Sequence, residues 1–153
     1  MIDGDRVVHE VRYGHPVQAV WHALTDPAEL AAWLMPTDFA PEPGRRFRLD
    51  ARPEFGIIDG EVVDVDPPHL LRCRWTVQGV PTTVTVRLRT GDDGGTVLRL
   101  EHAGLTASQR TSFDAGWGGK FGYDLGLVLT GARDPARSRA DQGLHRHPDL
   151  EMQ

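Results

Sequence analysis

The chain has 153 residues, 39% hydrophobic and 25% charged, with a formal net charge of -5. That is long enough for one domain with a real core, and too acidic for a polyanion partner, whose phosphates call for a basic surface. One cysteine, Cys73, excludes an intramolecular disulfide and a thiolate metal cluster.

The N-terminal MIDGDRVVHEVRYG has no apolar core of signal-peptide type. No apolar run approaches the roughly 18 residues of a bilayer span, so a reducing, cytoplasmic location is expected. Arg6–Tyr13 alternates as a strand, with Val7, His9, Val11 and Tyr13 on one face and Arg6, Val8, Glu10 and Arg12 on the other. His9 reads as a packed, hydrogen-bonded side chain, because one imidazole without a partner has no mechanism. Gly14-His15-Pro16 ends the strand. Val17, Val20, Trp21 and Leu24 then fall at i, i+3, i+4 and i+7, the apolar face of a short helix. Asp26, Pro27 and Glu29 supply the N-cap, first position and acidic first turn of a second short helix, which carries Leu30, Trp33 and Leu34 and closes at Pro36.

Thr37–Gly44 is loop by its prolines and glycine, and strands follow. Arg45–Ala51 carries Phe47 and Leu49 on one face. Ile57–Asp66 ends at Pro67-Pro68, which cannot continue a ladder. Leu71, Cys73, Trp75 and Val77 share one face of the next strand, opposite Arg72, Arg74 and Thr76. Gln78-Gly79-Val80-Pro81 turns the chain into the strand of Val84, Val86 and Leu88. Gly91-Asp92-Asp93-Gly94-Gly95 is a hairpin loop before Leu98, Leu100 and His102. Consecutive hairpins make the sheet antiparallel, with one apolar face and one rich in Arg and Thr.

The last periodic stretch is Ser108–Leu129. Phe113, Trp117, Phe121, Leu125 and Leu129 recur every fourth residue, a slowly drifting stripe on a helix of 3.6 residues per turn. Only this element is long enough to cover the sheet's apolar face. Asp114 and Asp124 are expected on its exposed side. Gly116, Gly118, Gly119, Gly122 and Gly126 lie inside the pattern, each costing roughly 0.5–1 kcal/mol relative to alanine. Close packing of helix on sheet and room for a ligand between them both answer to that cost. Residues 133–153 are polar, without an apolar period, and are expected to form a disordered tail on a single domain of residues 1–132. His145 and His147 in that tail lack the further ligands a metal needs.

Several stretches resemble one large superfamily. They are Val20-Trp21-His22-Ala23-Leu24-Thr25-Asp26-Pro27 with Leu30 and Trp33, Gly60-Glu61-Val62, and Val65-Asp66-Pro67-Pro68 with Leu71 and Trp75. Gly95-Thr96 with Leu98, Leu100 and His102, and Gly116-Trp117, complete the set. The resemblance is to the START-related, birch-pollen-allergen-like (SRPBCC) superfamily. Its nearest branch resembles the C-terminal domain of the activator of heat-shock-protein-90 ATPase. It implies an α+β helix-grip fold: a curved antiparallel sheet of about six strands wrapped around the long C-terminal helix, with two short helices after strand 1. It also implies a hydrophobic cavity between helix and sheet that takes apolar molecules, in a bacterial, stress-response or secondary-metabolism setting.

In that frame the ligand-binding residues are Phe47, Val62, Cys73, Trp75, Val86, Leu100 and His102 on the sheet and Phe113, Trp117 and Phe121 on the helix. Trp33, Met35 and Phe39 would close the mouth. No constellation carries catalysis. Cys73 lies mid-strand among apolar neighbours, as an inert thiol does. His102 is the titratable group on the cavity face, without an evident carboxylate partner. Neither a metal nor a cofactor is expected. Three functions follow: a binding protein for a small hydrophobic molecule, which is favoured; a cyclase or hydrolase using the same cavity, with His102, Tyr13 or His9 moving protons; and a module binding a chaperone ATPase. The single-domain length weighs against the last, since the eukaryotic co-chaperone carries a separate N-terminal domain. A homodimer is compatible with the sequence, which has no feature that sets it.

Overall fold

The structure is a computed structural model and describes residues 1–131. The tail, including His145 and His147, lies outside the described residues. Seven antiparallel strands form one sheet in the order β1-β2-β7-β6-β5-β4-β3. They are β1 Ile2–Asp3, β2 Arg6–Tyr13, β3 Arg46–Ala51, β4 Gly56–Asp66, β5 Leu70–Val77, β6 Val80–Thr90 and β7 Thr96–Ala103. Between β2 and β3 lie α1 Val17–Thr25 and α2 Pro27–Trp33. The C-terminal helix runs as α3 Ala107–Gly119, a π-helical segment Lys120–Asp124, and α4 Leu125–Leu129. This is an α+β, helix-grip-like architecture.

Alternation sets the inward faces. Phe47 and Leu49 on β3, Ile58, Gly60 and Val62 on β4, and Leu71, Cys73, Trp75 and Val77 on β5 are buried. The ladder holds one register from Leu70↔Arg87 to Val77↔Val80 between β5 and β6, and from Thr83↔Ala103 to Thr90↔Thr96 between β6 and β7. In β4 the register shifts between Val62 and Asp64. Val63 is the extra residue of that bulge and is exposed.

The structure corrects several boundaries. β1 adds a short pairing on β2 that the sequence pattern does not show. The β5–β6 turn is only Gln78-Gly79, both at positive φ, as a tight two-residue hairpin requires. Pro81 therefore belongs to β6, opposite Thr76 and beyond the last pair with β7, where its missing N–H costs no ladder bond. α2 ends at Trp33, capped by Leu34, before Pro36 is reached. The C-terminal helix starts earlier than Ser108. Thr106 and Gln109 form a reciprocal capping box that satisfies two end donors.

The π segment explains the aromatic stripe. Positions four apart drift by about 40° per step on an α-helix. In the wider π turn the Leu125 N–H reaches back to the Lys120 carbonyl, which takes back part of that drift. Phe113, Trp117, Phe121 and Leu125 all stay buried. The stripe then resumes α spacing, so Val128 is buried and Leu129, its expected last member, only partly so.

Candidate functional site

Four aromatic rings form a column between helix and sheet. Trp117 stacks on Phe121 with centroids 5.2 Å apart and planes 10° apart. Trp75 of β5 flanks Trp117 at 5.5 Å, and Trp33 of α2 flanks Phe121 at 5.6 Å. Polar bonds fix the column. The Trp117 Nε1–H donates to His102 Nδ1 at 3.1 Å, and His102 Nε2 lies 2.9 Å from Thr82 Oγ1. The Thr82 hydroxyl donates to the Trp75 carbonyl at 2.7 Å. Thr82 has one proton to give, so its oxygen accepts from His102. That network assigns a neutral Nε2–H imidazole with both nitrogens engaged. Burial holds its pKa down to about 3. His102 is thus an anchor for Trp117, with no free nitrogen for proton transfer.

Two empty spaces adjoin the column. The inner one is an apolar cavity of about 50 Å³. Of the residues expected to bind a ligand, Trp33, Phe39, Phe47, Cys73, Trp75, Val86, Leu100, Trp117 and Phe121 line it. Val62 and His102 do not: Val62 is packed in the core, and His102 is spent on its two neighbours. Trp33 and Phe39 are buried wall residues, not a mouth. Leu49, Leu71 and Val84 of the sheet and Leu24, Leu30 and Leu34 of the short-helix region complete the lining. The apolar helix faces are plain in the sequence, but of the short helices only Trp33 was expected at the cavity, since strand alternation says nothing of which α1 and α2 side chains reach it.

The second space is a surface cleft of about 810 Å³ between α3, the β3–β4 connection and the residues after α2. Met35 and Phe113 line this cleft rather than the inner cavity. Phe55 packs on Phe113 with centroids 4.5 Å apart. The two spaces share Leu34 and Trp117 as walls. The rim carries Asp50, Arg52, Glu54, Ser112 and Lys120. Arg52 binds Asp50 through two nitrogens, at 2.8 and 2.7 Å, and its hydrogen bonds hold that carboxyl down at about 2. The helix glycines fit close packing poorly. A Cβ on Gly116, Gly119, Gly122 or Gly126 meets nothing within 4 Å, and one on Gly118 meets only His9 Cε1 at 3.6 Å. Gly116 alone of these faces the cleft.

Other polar groups have structural partners. Asp114, expected on the helix's exposed side, is half-buried and receives His9 Nε2 at 3.0 Å and the Met1 ammonium. The ammonium's hydrogen bond, first among its contacts, holds the Asp114 carboxyl below the usual carboxylate range. The Tyr13 hydroxyl donates to the Phe121 carbonyl in the π segment at 2.7 Å, and burial raises its pKa. His22, Asp26 and Glu29 converge at the α1–α2 corner. There Asp26 caps the Glu29 N–H at 3.0 Å and His22 pairs with Glu29. Burial pushes the Cys73 thiol up to about 12, which leaves it inert. No helix among the described residues is long and apolar enough to cross a membrane.

Residues 14–122 match the model of a family described as Activator of Hsp90 ATPase homolog 1-like protein. No curated protein matches the sequence. Among solved structures, MLL2253 from Mesorhizobium loti is 33% identical, with a TM-score of 0.73 over 82% of this chain and 96% of that one. DynU16, from the dynemicin biosynthetic locus, is 28% identical with a TM-score of 0.75; the match covers 87% of this chain and 50% of that one, so this chain spans about half its length. PFC0360w, an HSP90 activator from Plasmodium falciparum, is 21% identical with a TM-score of 0.70 over 83% of this chain and 97% of that one, a likeness of fold alone.

Proposed function

The chain belongs to the Activator of Hsp90 ATPase homolog 1-like family, and from that premise we propose that it binds a small, largely apolar molecule beside its C-terminal helix. The observation that carries this reading is the cleft of about 810 Å³ floored by Met35, Phe55, Phe113 and Trp117. Ligand sites are commonly concave, mostly apolar and roughly 300–1,000 Å³ in volume. The inner cavity of about 50 Å³ is too small to hold such a ligand by itself. It would take only a small apolar end group, reached past Leu34. Trp117 is pinned by His102 and by stacking, whereas Leu34 caps a helix end.

Native mass spectrometry of the purified protein, with a thermal-shift screen of apolar metabolites, tests the reading. A co-purifying small molecule, or a melting-temperature rise confined to one chemical class, supports it. A bare mass with no shift across the screen refutes it.

The family description supports a second reading, a module that binds the Hsp90 ATPase. Its test is the ATPase rate of Hsp90 titrated with this chain. A saturable rise would support that reading, and a flat rate would leave the small-molecule reading alone.

A further inference from the structure

We infer that the cleft selects a monoanionic amphipathic molecule, an aromatic carboxylate or sulfonate, with its rings beside Gly116 and its anionic group at Lys120. This rests on the cleft being a ligand site.

Helix geometry orders the cleft wall. Ser112, Gly116 and Lys120 are spaced four apart and all line the cleft, while Phe113 and Trp117 lie one position on. The helix therefore offers a polar edge along an aromatic floor. At the middle of that edge Gly116 presents no side chain, and a Cβ there would meet nothing within 4 Å. The gap exposes the flank of the aromatic floor, where a flat ring can lie.

Charge is distributed unevenly along the same wall. Lys120 is the one lysine of the chain. Its ammonium is 3.9 Å from Asp124, one helical turn on, and its side chain is 38% exposed. A lysine preceding its acid at i,i+4 is the weaker order of such a pair, so the ammonium keeps most of its capacity for another anion. Arg52, the other cation of the cleft, is occupied by Asp50, and together they present a neutral pair. Glu54, the remaining carboxylate, adjoins Phe55, whose ring packs on Phe113. Phe113 is seven residues before Lys120, about 10 Å along the axis. The cleft thus carries an ammonium at its Trp117 end, where the inner cavity also lies, and the Glu54 carboxylate at its Phe113 end.

The test uses two fluorescent probes with the same apolar body. 1-Anilinonaphthalene-8-sulfonate carries an anion, and N-phenyl-1-naphthylamine does not. Wild type is expected to bind the sulfonate about tenfold more tightly, the worth of one charge-assisted hydrogen bond. Lys120→Gln should remove that preference and leave the neutral probe unchanged, and Lys120→Arg should restore it. Gly116→Leu should abolish binding of both; its Cβ meets open space and improves helix propensity, so the fold is kept. Equal affinities in wild type, or a sulfonate affinity unmoved by Lys120→Gln, overturns the anion preference while the cleft reading stands. Failure of both probes to bind wild type, or binding indifferent to Gly116→Leu, overturns the cleft reading itself.

Discussion

His102 shows how a buried titratable side chain can be fully explained without catalysis. Its neighbours consume both ring nitrogens, and burial disfavours the imidazolium, holding the pKa down to about 3. An unfolded histidine titrates near 6.5. Between those values the unfolded state binds one proton more, so stability is full above about pH 6.5 and falls as the pH drops toward 3. The slope assignable to this group is about 1.4 kcal/mol per pH unit. His102→Gln should remove that component, flattening the urea-unfolding stability profile between pH 4 and 6 relative to wild type. At pH 8 the same variant should lose about 1–3 kcal/mol, because the Trp117 N–H and the Thr82 hydroxyl lose a matched partner. An unchanged slope would mean that His102 is protonated in the fold. That His102 faces inward was legible from its alternation with Arg99 and Glu101. Its bonding was not: Thr82 and Trp117 meet it only through the β6–β7 register and the rotation of the helix, and periodicity specifies neither.

At the scale of elements, two glycines make opposite demands. On Gly60 of β4 a Cβ would lie 2.3 Å from the ring of Phe47, its cross-strand partner. That ring also packs edge-on to Phe39 at 5.0 Å, so it has little freedom to withdraw. Gly60→Ala should cost about 1–3 kcal/mol by overpacking. Gly116→Ala meets open space and should gain about 0.5–1 kcal/mol from helix propensity. Urea titration of both variants checks the contrast; equal signs would refute the local packing. The π segment has its own dependence, since the Tyr13 hydroxyl is bonded to the Phe121 carbonyl within it. Tyr13→Phe should lose about 1–2 kcal/mol by leaving that buried carbonyl one donor short. Strands, turns and both short helices were readable because period and punctuation are local. The π segment was not, although a stripe recurring every fourth residue drifts off one face of an α-helix and was its signal.

At the scale of the molecule, the sheet, the short helices and the C-terminal helix share one core cluster, and Cys73 lies inside it. The order of elements and the apolar face made this architecture readable from sequence. The small size of the enclosed cavity was not readable, because it depends on how Trp75, Trp117 and Phe121 tilt against one another. A single core implies that the thiol becomes accessible only when helix and sheet separate. Burial holds it at about 12 in the fold, whereas an unfolded cysteine titrates near 8.5. Alkylation by iodoacetamide at pH 8 should therefore follow the open population and track global stability. Gly116→Ala should slow labelling about two- to fivefold, and Gly60→Ala should speed it about five- to hundredfold, as their stability changes convert at 1.4 kcal/mol per decade. Rates indifferent to both substitutions would refute global opening as the route to the thiol. Cys73 would then report a local passage into the core rather than unfolding of the whole.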